Sequence, residues 1–117
     1  ILNYLRILLK RYGYNIFEMS SSSKALALFL DDPYAFDLVI ADVTMPQMSG
    51  FEMLSQMRAV RPDLPTVLCT GYSQTIDKAK AQEIGIDQFL YKPVNPENML
   101  KTVRGLLNKS RKGEENA

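Results

Sequence analysis

A chain of 117 residues is one ordinary domain, and 46% hydrophobic with 23% charged residues is typical of a folded, soluble protein. The net charge is +1, and the scattered basic residues lack clustered aromatic residues, which argues against direct nucleic-acid binding by this domain. No apolar run reaches the roughly 20 residues of a membrane span, and Cys69 is the only cysteine, so no membrane contact and a cytoplasmic location are expected.

The first half of the chain alternates between helical and strand patterns. Apolar residues at helical spacing predict a helix over Ile1–Arg11. Tyr14–Met19 is rich in aromatic and branched residues and predicts a strand. Ser21 or Ser22 is a candidate cap for a second helix. Asp37–Val43 (DLVIADV) is an apolar run with one late acid, which is typical of a strand covered on both faces in a parallel sheet.

The second half repeats this alternation. Its predicted elements are a loop over Met45–Gly50, a helix over Phe51–Val60, a strand over Pro65–Thr70, a helix over Ser73–Ile84, a strand over Gln88–Tyr91 and a helix over Glu97–Leu107. Lys109–Ala117 is predicted to be a polar tail or linker. Strands that alternate with helices predict an α/β fold, a doubly wound parallel sheet with helices on both faces. Because such folds generally begin with a strand, a leading strand is expected before Ile1.

Three polar side chains follow strands of this predicted sheet. Asp42, Thr70 and Lys92 each stand at the carboxyl end of a strand, where functional groups of open parallel sheets gather. A carboxylate nucleophile, a hydroxyl and an ammonium suit phosphoryl transfer, which needs positioning and charge neutralisation. Taken singly, the aspartate could be a turn residue and the lysine a solvated surface residue. Cys69 and Phe89 are most simply read as core residues.

The sequence contains no histidine, which excludes Ser-His-Asp or Cys-His catalysis and a histidine metal site. Any chemistry must therefore use carboxylate, hydroxyl and lysine groups, or a histidine that a partner brings.

The motifs DLVIADVTMPQMSG, PTVLCTGYS and GIDQFLYKP together resemble the receiver domains of two-component response regulators and hybrid histidine kinases. The resemblance covers residues 1–108, which are taken as the receiver domain, and leaves 109–117 as the tail. It implies a flavodoxin-like fold with a five-stranded sheet, of which the first strand is absent from this sequence. The residues of the last two motifs most resemble those of receivers joined to hybrid sensor kinases.

The resemblance also implies a role for each matching residue. Asp42 would be the phosphoacceptor, and Thr70 and Lys92 would bind the phosphoryl group. Asp42 and the backbone carbonyl of Thr44 would bind Mg²⁺, the implied cofactor, together with an acidic pair expected immediately before Ile1 and not present here. Thr70 and Phe89 would form a switch that alters the face of the family's fourth helix and fifth strand.

The implied partner is a sensor histidine kinase or a histidine phosphotransfer protein, and a dimer through the switch face is a further expectation. The domain would not be an enzyme in its own right, although it would assist its own phosphorylation and dephosphorylation. The bond between Lys92 and Pro93 is often cis in this family. Gly71 stands where alanine is more usual, which should loosen the loop.

Two other functions remain open. The missing acidic pair leaves room for a degenerate receiver that serves as an interaction module without phosphorylation. An aspartyl-phosphate phosphatase of the haloacid dehalogenase type also combines Asp, Thr and Lys, but it needs a second acid where Thr44 stands. A flavin or nucleotide binder is disfavoured because no glycine-rich phosphate loop follows a strand.

Overall fold

The computed structural model describes residues 3–43, 47–71 and 78–115, in which helices and strands alternate. The helices are α1 (Asn3–Arg11), α2 (Ser22–Asp31), α3 (Gly50–Val60), α4 (Lys78–Ile84) and α5 (Pro96–Glu115). The strands are β1 (Val39–Asp42), β2 (Thr66–Thr70) and β3 (Gln88–Tyr91). The α/β pattern expected from the sequence is therefore present.

The three strands form one parallel sheet in the order β1-β2-β3. Asp42 of β1 is in register with Cys69, and Thr70 of β2 is in register with Tyr91. Because the strands are parallel and in register, their carboxyl ends meet at one edge of the sheet, which we call the carboxyl edge. Asp42, Thr70 and Lys92 all lie at this edge.

Helices cover both faces of the sheet, and each face has its own apolar core. On one face α2 and α3 pack against the sheet through Leu26, Phe29, Ala41, Met53, Leu54, Met57, Leu64, Leu68 and Ile86. On the other face α1 and α5 pack through Leu5, Leu9, Val67, Cys69, Leu90, Val94, Met99 and Val103. Every residue of β2 is buried, as expected for a central strand of a doubly covered sheet.

The helix ends follow the expected local chemistry. Ser21 is the cap of α2, and its hydroxyl accepts the N–H of Lys24, which confirms the predicted cap. Ser49 caps α3 in the same way by accepting the N–H of Glu52. Gly13, just after α1, has φ +90°, a left-handed conformation that glycine adopts without steric cost.

A buried arginine fixes the approach to β1. Arg61 follows α3, is 8% exposed, and donates hydrogen bonds to the carbonyls of Pro33 (3.1 Å) and Phe36 (2.5 Å). Its guanidinium also lies over the Tyr34 ring, 4.9 Å from the centroid. These contacts tie the loop between α2 and β1 to the end of α3, and thereby set where β1 begins.

The predicted strand at Tyr14–Met19 is wrong, because the structure has no strand there. A strand needs a neighbouring ladder, and an open cleft of about 410 Å³ separates this segment from β1. The N–H groups of Val39 and Val43 point towards β2, so those of Ile40 and Asp42 point away from it, and Ile40 lines the cleft. We call this side of β1 its open edge. The described sheet accordingly has three strands.

Other boundaries also differ from the predictions. Helix α5 continues to Glu115, through most of the segment predicted to be a polar tail, because its Lys, Arg and Glu residues favour helix. Strand β1 is shorter than the predicted Asp37–Val43. The start of the helix predicted from Ser73 lies outside the described residues, and the described part is α4. No helix among the described residues is long and apolar enough to cross a membrane.

Candidate functional site at the carboxyl edge of the sheet

Asp42 and Lys92 form an ion pair at the carboxyl edge. Lys92 Nζ lies 3.1 Å from Asp42 Oδ1, with 44% of the lysine side chain and 32% of the aspartate side chain exposed. Both groups are therefore reachable from solvent, and the carboxylate already has a cation beside it. The sequence prediction that these two strand-end residues converge is confirmed.

Lys92 is held in place by its backbone. It directly follows β3, and its N–H donates to the carbonyl of Thr70 at 2.7 Å, which extends the β2–β3 ladder by one bond. The Lys92–Pro93 peptide bond is cis, as expected from the resemblance. The lysine therefore leaves the sheet from a fixed point and reaches across β2 to Asp42.

Thr70 lies at the same edge, on the strand between those of Asp42 and Lys92. It is 1% exposed, and its hydroxyl donates to the carbonyl of Gly71 at 3.3 Å. Side chains alternate along a strand, and Cys69 is the register partner of Asp42. The side chain of Thr70 therefore leaves the sheet on the opposite face from the side chain of Asp42.

Cys69 is a core residue, as predicted. It is 5% exposed and packs in the core between the sheet, α1 and α5. Burial, and to a lesser extent the neighbouring Asp42 charge, raise the pKa of this thiol to about 11, although Lys92 opposes the rise. A thiol in this state is protonated at neutral pH and is a poor nucleophile.

Phe89 and Thr44 complete the predicted site residues. Phe89, in β3, is half-buried and packs against the core formed with α2 and α3. Its ring thus contacts the face of the sheet from which Thr70 emerges. Thr44, whose carbonyl was expected to bind Mg²⁺, lies outside the described residues.

The described residues do not by themselves form a magnesium site. Mg²⁺ takes near-octahedral oxygen coordination and uses one or more carboxylates. Asp42 brings a carboxylate, but Lys92 is already paired with it. No group of three His, Cys, Asp or Glu side chains that could hold a metal occurs in the described part of the chain. Further oxygen ligands would have to come from outside these residues.

Sequence reasoning missed a group of residues that hold the loop after Asp42. Ser22 is fully buried, and its hydroxyl accepts the N–H of Met48 at 3.0 Å. Gln47 has φ +78°, which is uncommon for a residue other than glycine. A Cβ on Gly50 would lie 1.9 Å from the carbonyl oxygen of Asp42, so only glycine fits there. The serine run at 20–23 was the available signal, but it was read only as a helix cap.

Comparison with known proteins identifies the relatives of this chain. A family model described as "Response regulator receiver domain" matches residues 1–104. The transcriptional regulatory protein ZraR of Escherichia coli (strain K12) is 32% identical over 103 residues, which are 88% of this chain and 23% of that protein. The transcriptional regulatory protein CreB of the same strain is 38% identical over 76 residues, 65% of this chain and 33% of that protein.

The fold is also found among solved structures. The crystal structure of a response regulator receiver domain protein from Clostridium thermocellum superposes with a TM-score of 0.85 and 25% identity, covering 94% of this chain and 87% of that one. The chain spans less than half the length of the curated relatives it matches. The flavodoxin-like fold expected from the resemblance is thereby confirmed.

Proposed function

The chain belongs to the response regulator receiver domain family, and from that premise we propose that Asp42 accepts a phosphoryl group from a phosphohistidine of a partner protein in a two-component phosphorelay. The observation that carries the proposal is the ion pair between Asp42 and Lys92, 3.1 Å long and open to solvent at the carboxyl edge. Thr70 at the end of the intervening strand supports it.

The proposed transfer uses each group for one task. A carboxylate oxygen of Asp42 attacks phosphorus, a P–O bond forms, and the P–N bond of the phosphohistidine breaks. The electron pair of that bond stays with the partner's imidazole, and Asp42 becomes an acyl phosphate. Lys92, a compact cation, would move from the carboxylate to the phosphoryl oxygens and neutralise their charge. Thr70 would donate its hydroxyl to another phosphoryl oxygen.

Magnesium enters this proposal as a requirement to be tested. Transfer is expected to depend on Mg²⁺ bound by Asp42, the carbonyl of Thr44 and an acidic pair preceding Ile1. The described residues lack enough ligands for that ion on their own. No step of the transfer is therefore assigned to the metal.

The partner and the output follow from the same premise. The phosphodonor would be a sensor histidine kinase or a histidine phosphotransfer protein in the cytoplasm. The domain would act as a signal carrier rather than an enzyme, while assisting its own phosphorylation and dephosphorylation. Phosphorylation would draw Thr70 towards the phosphoryl group and let the Phe89 ring turn inward, which biases the face formed by α4 and β3. Formation of a dimer through that face would be one response to phosphorylation.

A phosphorylation-independent interaction module is the second candidate. It is favoured by one observation, the shortage of metal ligands among the described residues. It is opposed by the ion pair, since an interaction surface does not need a lysine held against a carboxylate at a strand end.

Incubation with Mg²⁺ and acetyl phosphate, followed by intact-protein mass spectrometry, distinguishes the two candidates. The wild-type chain should gain the mass of one phosphoryl group, and Asp42→Asn should gain none. A gain that survives in Asp42→Asn would place the modification elsewhere. If wild-type protein that carries the acidic pair expected before Ile1 gains no mass under conditions that modify a known receiver, the interaction module is favoured.

A further inference from the structure

The described end of the loop before α3, residues 47–49, is anchored to a different helix, α2. Ser22, in the first turn of α2, is fully buried, and its hydroxyl accepts the N–H of Met48 at 3.0 Å. The bond satisfies the partly buried N–H of Met48 and so holds the backbone at position 48. The contact joins residues that are 26 positions apart.

A second contact lies beside the first. The Gln47 side-chain carbonyl Oε1 accepts hydrogen bonds from the hydroxyls of Ser21 and Ser23, each at 2.5 Å. Gln47 has φ +78°, a left-handed conformation in which a side chain with a Cβ is strained. The two serines therefore hold an unfavourable backbone conformation in place. We call Ser21, Ser22, Ser23 and Gln47 the α2 clamp.

The far end of the clamped loop touches the acceptor itself. The N–H of Gly50 donates to the carbonyl of Val43 at 3.0 Å, which closes the loop. The Cα of Gly50 lies so near Asp42 that an added Cβ would sit 1.9 Å from its carbonyl oxygen. Close packing leaves no room for independent movement, so a shift at Met48 would be passed through Gly50 to the Asp42 peptide.

We propose that the α2 clamp positions Asp42 for phosphoryl transfer, with Ser22 and Gln47 as positioning residues rather than catalytic ones. This inference rests on the proposed function of Asp42. Effective transfer needs the attacking oxygen within a narrow range of positions. Among the described strands, β1, which carries Asp42, pairs with β2 on one side. The clamp supplies a support for the acceptor from outside the sheet.

Gln47→Gly is the informative variant because glycine tolerates φ +78° while losing the amide that the serines hold. Its thermal midpoint should stay close to wild type, because relief of backbone strain offsets the lost hydrogen bonds. Ser22→Ala removes the acceptor of the Met48 N–H. Ser20→Ala is the matched control, since Ser20 is exposed and adjacent but makes no hydrogen bond in the described structure.

The experiment measures the initial rate of phosphoryl incorporation from acetyl phosphate over a range of donor concentrations, well below the thermal midpoint. Gln47→Gly and Ser22→Ala should each lower the maximal rate about three- to ten-fold with the half-saturating donor concentration unchanged, as expected when attack geometry is disturbed. Ser20→Ala should match wild type. Rates are divided by the folded fraction measured by circular dichroism.

Two outcomes would overturn the inference. The first is a wild-type rate per folded molecule in Gln47→Gly and Ser22→Ala, which would make the clamp purely structural. The second is a rise in the half-saturating concentration alone, which would place the clamp in donor binding. If wild-type protein that carries the acidic pair expected before Ile1 is not phosphorylated, the proposed function of Asp42 fails and this inference fails with it, a result that differs from both of the others.

Discussion

Lys92 Nζ lies 3.1 Å from Asp42 Oδ1, although the two residues are 50 positions apart and stand on strands separated by β2. The pair brings together the oxygen proposed as the nucleophile and the cation that would neutralise the charge of an incoming phosphoryl group. Both side chains are partly exposed, so the ion pair contributes little to the stability of the fold. The pair matters for chemistry, because it places the Asp42 carboxylate beside the Lys92 ammonium.

Replacing the lysine should separate function from stability. Lys92→Ala should change the free energy of unfolding by less than about 1 kcal/mol, because the pair is partly exposed. It should lower the rate of phosphoryl incorporation by about 10²-fold, the usual effect of removing one charge-stabilising group. Lys10→Ala, on the exposed side of α1, is the control and should leave the rate unchanged. A grossly unfolded Lys92→Ala variant would show that the lysine has a structural role that the ion pair does not reveal.

The aromatic switch can be tested by following one ring. The NMR signals of the Phe89 ring should shift when a phosphoryl mimic such as beryllofluoride binds, because the proposed switch turns this half-buried ring inward. The same mimic should cause no Phe89 shift in Thr70→Ala, because that variant lacks the hydroxyl proposed to couple the phosphoryl site to the ring. The fully buried Phe29 ring serves as the internal control. An identical Phe89 environment with and without the mimic in the wild type would count against the switch.

Two glycines should respond to alanine in opposite ways. Gly85 has φ +86°, and an added Cβ would lie 2.1 Å from the guanidinium of Arg58, which donates to the carbonyls of Ile84 and Leu64. Gly85→Ala should therefore lower the free energy of unfolding by about 2 kcal/mol or more.

Gly105 is the matched comparison because it lies inside α5 with open space around it. Gly105→Ala should raise the free energy of unfolding by about 0.5–1 kcal/mol through helix propensity alone. Urea denaturation of Gly85→Ala and Gly105→Ala tests both predictions. Equal effects of the two substitutions would show that the left-handed backbone and the Arg58 contact do not matter.

The buried thiol should make stability depend on alkaline pH. The pKa of Cys69 is raised from 9.0 to about 11 in the folded chain, so above pH 9 the unfolded chain loses this proton before the folded chain does. Stability from this group is complete below pH 9 and is lost as the pH rises towards 11, by on the order of 2 kcal/mol. Cys69→Ala should show a shallower decline over that interval in chemical denaturation. If the free energies of unfolding of wild type and Cys69→Ala fall in parallel between pH 9 and 11, the raised pKa of Cys69 would be contradicted.

Much of the site was predictable because it depends on local patterns. The apolar run before Asp42 and the proline after Lys92 marked strand ends, and the bounds of β3 were predicted as observed. Parallel strands bring their carboxyl ends to one edge, so the meeting of Asp42 with Lys92 followed from chain order. The placement of these residues thus rests on rules that a single sequence contains.

The parts that were not predicted depend on partners distant in sequence. Tyr14–Met19 has strand composition, but a strand also requires a neighbouring ladder, and composition does not report one. Gln47 gave no sign of its left-handed backbone, because that conformation is imposed by serines more than 20 positions away. The length of α5 was underestimated because a polar segment was read as tail despite its helix-forming residues.

The open edge of β1 has a consequence for local cooperativity. In the described sheet, β2 is bonded on both sides, whereas β1 shares a ladder with β2. The amide of Ile40, a residue that lines the cleft, should therefore exchange with solvent by small local openings, and those of β2 only when the whole sheet opens. Strand β1, which carries Asp42, would then belong to a less stable folding unit than β2. A segment bound in the cleft and paired with β1 would join the two strands into one cooperative unit.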